Sequence, residues 1–366
     1  LIPDSFTVNI SNLDRGFTAF VVALLIAYFL TPVIKKFALQ YGALDRPNHR
    51  KIQATPIPSL GGLAIYFGFI VAVFLTIPPS TRLNGILLGS TLIVMAGIID
   101  DLVDLAPRIK MTFQVFATLI LIYHGVKIQV LSWPDGSMLS WGFLSVPVTM
   151  LWVVGVTNTI NIVDGLDGLA AGIAFIASIT LLVVAVLDGQ VTEVPLITSA
   201  LAGGIIGFLR YNFNPASIFM GDTGSMFLGF ILASVAVMGS LKGATLVTLI
   251  IPIIALGVPI FDTALAIYRR RKTSIFVPDK EHFHHQFLAL GLTHKQTVII
   301  LYLISLCLGV WAILLTTVQD FTALGVLGFI SILFVIGIRR IRWVRESESR
   351  RKEELQRESG DEHGSQ

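Results

Sequence analysis

Residues 158–172 read NTINIVDGLDGLAAG. The apolar run FLSVPVTMLWVVGV leads into them at 143–156, and another, IAFIASITLLVVAVL, follows at 173–187. Between these two candidate membrane spans stand Asn158, Asn161, Asp164 and Asp167, each three residues from the last. Such groups are costly inside lipid and mark functional positions when they occur there. A spacing of three to four residues places Asn158, Asn161 and Asp164 broadly on one helix face, with Asp167 continuing that face or lying in the turn. The stretch reads as a polar wall where two membrane helices end.

The composition supports a chain built for lipid. Of its 366 residues, 54% are hydrophobic and 13% charged, and the mean hydropathy is +0.80; a soluble domain carries roughly 25% charge. The expected fold is an all-α polytopic membrane protein. A single cysteine, Cys307, excludes a disulfide framework and a cysteine-based zinc site. Apolar stretches of membrane-helix length occur near 16–39, 60–77, 83–99, 109–125, 144–162, 169–187, 194–210, 225–241, 244–268, 297–317 and 320–338, eleven in all. They are too long for the strands of a membrane barrel and lack its alternation. The first is also longer than a signal-peptide core and reads as a retained helix.

Eleven crossings put the termini on opposite sides. With the N-terminus outside, only Arg15, Arg82, Lys127 and Lys242 among 26 Lys and Arg residues face outward, the asymmetry of the positive-inside rule. The net charge of +3 therefore has a topological meaning and implies no nucleic-acid partner. Residues 1–338 are expected to form one transmembrane catalytic domain. Residues 339–366 form a charged cytoplasmic tail, expected to be partly disordered beside anionic lipid. The segment GVKIQVLSWPDGSMLSWGFLSV at 125–146 alternates around a PDGS turn, which predicts a short β-hairpin at the outer face.

On this topology Asp100 and Asp101 in GIIDDLVDLAPRIK, Asp164, Asp167, Asp222 in IFMGDTGSMFLG and Asp262 in PIFDT all fall at the cytoplasmic side. Carboxylates at a membrane boundary need a partner, water or a cation, so six on one face suggest a shared site. Asp222, just before an apolar run, is equally well placed to cap a helix. Asp100 and Asp101 end a helix, where the macrodipole is negative. That pair calls for a cation, either magnesium, which takes oxygen ligands, or Lys110. Glycines at 165, 168, 172, 221 and 224 admit a ligand or close helix packing. His282, His284 and His285 form an H-x-H-H pattern; zinc would need a second ligand cluster, whereas imidazoles also serve as donors to an anionic or sugar substrate. Carboxylates, a divalent cation, basic donors and a membrane boundary together describe phosphoryl transfer between a soluble nucleotide compound and a lipid.

At these motifs the chain resembles the polyprenyl-phosphate N-acetylhexosamine-1-phosphate transferases. Five segments carry the resemblance in order: DRPNHRKIQATPIPSLGG, DDLVDLAPRIK, NTINIVDGLDGLAAG, RYNFNPASIFMGDTGS and DKEHFHHQFLALGL. The resemblance implies transfer of a sugar 1-phosphate from a UDP-sugar to a polyprenyl phosphate, with release of UMP and use of magnesium, or manganese in its place. It implies that Asp100 acts on the lipid phosphate, that Asp101 supports the phosphate and metal environment, and that Lys110 neutralises substrate phosphate. Asp222 corresponds to a metal ligand with Asn161 beside it. Asp167 and Asn212 correspond to positions facing uracil and Phe219 to an aromatic stacked on it. Asp164 fits the site electrostatically, Asn158 belongs to the polar wall, and His284, His285 and His282 match a loop contacting sugar and phosphate.

The HFHH form, the DDLVDL continuation and the eleven expected helices resemble the bacterial WecA/TagO branch. That branch implies UDP-N-acetylglucosamine as donor, undecaprenyl phosphate as acceptor and the first membrane step of a cell-envelope polysaccharide, at the cytoplasmic face of the bacterial cytoplasmic membrane. Relatives using another UDP-N-acetyl sugar or UDP-N-acetylmuramoyl-pentapeptide share much of the pattern, and a homodimer is a further expectation of the resemblance. A secondary transporter of an anionic metabolite would instead place its carboxylates near the midplane between inverted repeats, and no repeat is apparent. A purely structural scaffold would leave the six aspartates unexplained.

Overall fold

The computed structural model describes residues 10–45, 56–132, 138–140, 142–189, 193–239, 246–270 and 282–317. The chain is mostly helical. Helix α1 spans Ile10–Tyr41, α2 Gly62–Thr76, α3 Thr81–Val103 and α4 Pro107–Tyr123. They are followed by α5 (Ser145–Val163), α6 (Leu169–Leu187), α7 (Glu193–Asn212) and α8 (Gly221–Gly239). The last four are α9 (Leu246–Ala255), α10 (Gly257–Arg270), α11 (Phe283–Ala289) and α12 (His294–Thr317). Among the described residues, seven helices are long and apolar enough to cross a membrane; α2, with 15 residues, is a shorter apolar helix. The eleventh expected span, 320–338, and the tail at 339–366 lie outside the described residues.

Helix α8 is the axis of the bundle. It is the most completely buried of the long helices, with Met226, Phe227, Phe230 and Ile231 excluded from the surface, and it packs on α2, α3, α5 and α6. Helix α1 lies against α7 and α2. Its Ala19, Ala23 and Ala27 repeat every four residues and are fully buried. On α7, a Cβ at Gly203 would stand 2.1 Å from the Phe20 carbonyl oxygen and one at Gly207 2.4 Å from that of Leu24. Small residues at this interval let two membrane helices approach backbone to backbone. Phe29, Phe74, Leu75 and Leu151 are exposed, as expected of a surface solvated by lipid tails.

Local chemistry sets the helix ends that matter for the site. Ser80 begins α3 by accepting the Leu83 N–H at 3.1 Å. Asp104 ends it in the left-handed conformation, φ 53°, and Pro107 opens α4 at a position where a missing N–H costs nothing. The resulting tight hairpin brings the start of α4 back beside the end of α3. At the other end of α4, strands β3 (Val130–Ser132) and β4 (Met138–Ser140) pair antiparallel with Leu131 opposite Leu139, which is the predicted hairpin. A second two-stranded ladder, β1 (Leu44–Asp45) with β2 (Ile57–Pro58), was not anticipated from sequence.

The stretch 244–268, expected as one helix, is divided at Leu256 into α9 and α10. Proline clashes with the carbonyl four residues before it and offers that carbonyl no N–H. Pro259 exerts this effect on Ala255, the last residue of α9. Before α12, the seven residues of α11 are helical, a feature too short to register in a count of membrane-length apolar stretches.

The α1–α7 contact can be tested directly. Gly203→Leu is expected to destabilise the protein by about 1–3 kcal/mol through overpacking, measured by unfolding in detergent. Gly155→Leu, where an added Cβ meets nothing within 4 Å, should leave the unfolding midpoint close to that of the unmodified protein.

Candidate active site

Chain direction gathers the polar residues at one end of the bundle. The ends of α3, α5 and α7 and the beginnings of α4, α6 and α8 meet there, opposite the β3–β4 hairpin. At the centre is the Lys110 ammonium. Its Nζ lies 2.7 Å from Asp100 Oδ2 and 2.6 Å from Asp222 Oδ2, so one cation joins α3, α4 and α8. Asn161, near the end of α5, donates from Nδ2 to Asp222 Oδ1 at 2.9 Å and to Ser225 Oγ at 2.8 Å.

Asp101 faces a different task. Its Oδ1 accepts the Asp222 N–H at 2.9 Å and the Ser59 hydroxyl at 3.2 Å. Its Oδ2 accepts the Thr223 N–H at 3.2 Å and the Thr223 hydroxyl at 2.6 Å. The first N–H groups of a helix have no intrahelical acceptor, and here a carboxylate from α3 supplies one at the positive end of the α8 dipole. This close approach depends on glycine. A Cβ at Gly97 of α3 would lie 2.4 Å from Thr223 Cα, and one at Gly62 of α2 2.2 Å from Gly224 Cα. Backbone bonds from Gly61 N–H to Phe219 O, Gly62 N–H to Met220 O and Phe219 N–H to Pro58 O, all 2.8–2.9 Å, hold the preceding segment to the end of β2.

Oxygens of Asp100, Asp101 and Asp222 lie within 4.8 Å of one another. An all-oxygen, carboxylate-rich set suits a hard divalent cation. Asp101 already accepts four hydrogen bonds, so Asp100, Asp222 and the Asn161 amide oxygen are the groups best placed to serve as ligands.

The remaining predicted residues divide between this cluster and the turns beside it. Asn158 forms an amide pair with Gln114, its Nδ2 2.6 Å from Gln114 Oε1, and so ties α5 to α4 one turn below Asn161. Asp167 Oδ2 accepts from Asn214 Nδ2 and the Ala216 N–H, both at 2.9 Å, and its own N–H donates to His294 Nε2 at 3.1 Å. Asn212 is buried; it accepts the Gly168 N–H at 3.1 Å and donates to the Ile218 carbonyl at 3.0 Å. Asp167 and Asn212 thus fasten the 164–168 turn to the 213–219 loop, where Phe219 stands half-buried. Burial, with the nearby charges of Asp222 and Asp101 in support, raises the Asp164 carboxyl well above the usual carboxylate range.

The three histidines lie at the start of α11. His284 is buried, and burial, reinforced by His285, pushes its imidazole down to about 3. It stands over the α5–α6 turn: a Cβ at Gly165 would lie 2.7 Å from its Nε2.

Several contributors escaped the sequence reading. Ser59, Thr223 and Ser225 were inside quoted motifs, but only Thr223 stands beside an aspartate in sequence. Gln114, a lone amide in an apolar helix, was another. His294 carries no local pattern that would place it against Asp167.

The residues 83–240 match the family model described as "Glycosyl transferase family 4". The chain is 41% identical over 325 residues to the "Probable undecaprenyl-phosphate N-acetylglucosaminyl 1-phosphate transferase" of Bacillus subtilis, covering 88% of this chain and 90% of that relative. It is 35% identical over 316 residues to the "Decaprenyl-phosphate N-acetylglucosaminephosphotransferase" of Mycobacterium tuberculosis, covering 77% and 78%. With the "Undecaprenyl-phosphate alpha-N-acetylglucosaminyl 1-phosphate transferase" of Thermotoga maritima it shares 31% over 308 residues, covering 77% and 92%. The chain belongs to glycosyl transferase family 4 and is a multi-pass membrane transferase.

Two outcomes follow from the geometry. Asp101→Asn replaces one acceptor with an N–H donor facing the start of α8, and should cost about 1–3 kcal/mol of stability, read by unfolding in detergent. For His284, an unfolded ring titrates near its ordinary 6.5 while the folded one remains neutral down to about 3. The unfolded chain therefore binds the extra proton between these values, and stability falls as pH drops through that window. The unfolding midpoint of the ligand-free protein should fall between pH 7 and pH 5, and fall less in His284→Asn.

Proposed function

We propose that this protein transfers N-acetylglucosamine 1-phosphate from UDP-N-acetylglucosamine to undecaprenyl phosphate, releasing UMP, at the cytoplasmic face of a bacterial membrane. The observation that carries the reading is the Lys110 bridge between Asp100 and Asp222, with Asn161 on the other Asp222 oxygen. It places acidic and basic groups for phosphate chemistry at a membrane-helix terminus. The names of the relatives supply the sugar and the lipid, and the outward scarcity of Lys and Arg supports the orientation.

In this mechanism the polyprenyl phosphate enters from the inner leaflet and the nucleotide sugar from the cytoplasm. Asp100 orients a lipid phosphate oxygen, or removes its proton, as that oxygen attacks the sugar-linked phosphorus. A bond forms between that oxygen and phosphorus, the bond from phosphorus to the bridging oxygen breaks, and UMP leaves with the electron pair. Lys110, held between two carboxylates, offsets phosphate charge as it develops. Asp222, Asn161 and Asp100 would hold a divalent cation such as magnesium, which would supply positive charge to the pyrophosphate. Asp101 holds Asp222 in place through the α8 terminus, while Asp164, Asp167, Asn212 and Phe219 shape the nucleotide side and His282, His284 and His285 the sugar and phosphate side. Asn158, through its amide pair with Gln114, fixes α5 against α4 one turn below Asn161.

The test uses purified protein in detergent with undecaprenyl phosphate, magnesium and UDP-N-acetylglucosamine, following UMP. Release that stops on adding EDTA and resumes with excess magnesium is the expected result. Asp100→Asn should abolish turnover while nucleotide-sugar binding survives; full activity in that variant would remove Asp100 from its role. Release only with UDP-N-acetylmuramoyl-pentapeptide would overturn the donor.

A further inference from the structure

Asp262 lies on α10, is not one of the carboxylates that Lys110 joins, and is buried. Both of its oxygens serve the beginning of α11. Oδ2 is 2.9 Å from His282 Nδ1, and Oδ1 accepts the Phe283 N–H at 2.9 Å. His282 is the N-cap residue of α11 but makes no side-chain capping bond of its own. One carboxylate from another helix therefore caps α11 and binds its cap residue at once.

The first consequence is chemical. An ionised carboxylate only accepts hydrogen bonds, so His282 Nδ1 must carry the proton, and in the neutral ring Nε2 is left as an acceptor. The second is positional. The His282 and His284 rings are parallel within 3° at 5.9 Å, and His284 lies 4.3 Å from His285, so all three imidazoles move with α11. Phe283 and Phe287, one turn apart, pack with Val163, Leu166, Leu169 and Val258. That cluster seats α11 on the α5–α6 turn, where the absent side chain of Gly165 makes room for His284.

We infer that Asp262 is a positioning residue for the histidine helix: it fixes the tautomer of His282 and anchors α11 on the 164–168 turn, acting on the nucleotide-sugar side and not on the lipid side. The assignment to the nucleotide sugar rests on the function proposed above; the anchoring does not. Asp100 and Lys110 belong to α3 and α4, so loss of the anchor should leave the lipid phosphate's groups where they are.

The decisive variant is Asp262→Asn. It preserves size and an oxygen for the Phe283 N–H, but presents an N–H donor to His282 Nδ1 and so reverses the tautomer. The expected result is a loss of about tenfold or more in kcat/KM for UDP-N-acetylglucosamine, by analogy with tautomer reversal in other His–Asp pairs. KM for undecaprenyl phosphate should be unchanged, and the same substitution should cause little further loss in a His282→Ala background. Unchanged kinetics, equal effects on both substrates, or additive losses in the double variant would overturn the tautomer role. Hydrogen exchange separates the anchor from the proposed reaction. In Asp262→Ala, amides of 283–289 should exchange faster while those of α8 stay protected as in the unmodified protein. If no UMP forms from UDP-N-acetylglucosamine in the unmodified protein, the proposed function fails and exchange still decides the anchor. Unaltered exchange at 283–289 in Asp262→Ala would overturn it.

Discussion

The start of α8 is the constraint on which the rest of the site depends. Two carboxylates from one α3 turn meet it in different ways: Asp101 binds its backbone, and Asp100 reaches its Asp222 side chain through Lys110. Without Lys110, Asp100 and Asp222 would repel one another in a region largely screened from water. Without Asp101, the N–H groups of Asp222 and Thr223 would lose their acceptors. Breaking a fully buried ion pair costs about 3–5 kcal/mol because a charge is stranded. The partial exposure of Lys110 and Asp222 lowers that cost and leaves room for a substrate's charge.

This arrangement places unusual demands on packing. Carboxylates are short, so α3 and α2 must approach α8 at backbone distance, and Gly97 and Gly62 make that approach available. The same device joins α7 to α1 through Gly203 and Gly207. In lipid, where apolar surface gains little from leaving the solvent, close van der Waals contact and polar ties hold helices together. The Gln114–Asn158 pair and the Asn161 bonds to α8 are ties of this kind.

A second small core couples the histidine helix to the same turn. Val163, Leu166 and Leu169 belong to the α5–α6 junction, Val258 to α10, and Val298 and Leu301 to α12. Asp167 and Asn212 stitch that junction to the loop before α8. The 164–168 turn is therefore shared: one side faces the acidic cluster, the other the histidines. Its Gly165 lets the His284 ring pack against the turn, and its Gly168 leaves space for Phe213 and Tyr302.

The membrane class, the positions of the long helices and the chemical character of the site were legible in the sequence, because hydropathy runs are local and an aspartate in such a chain stands out against them. DDLVDLAPRIK carried both members of the Asp100–Lys110 pair within one tight hairpin. The division at Leu256 was less visible: Pro259 signalled a break, but continuous hydrophobicity masked it. What each polar group binds was decided by tertiary structure. Adjacent Asp100 and Asp101 look alike in sequence, yet one pairs with Lys110 and the other caps α8, because successive helical side chains project in different directions. Asp262 and His282 are twenty residues apart, and no local pattern joins them. The sequence by itself determined that this is a membrane enzyme chain with its acidic chemistry at helix ends, since lipid permits little else; only the packing of α3, α8, α10 and α11 decided which carboxylate holds a backbone, which holds a lysine and which holds a histidine.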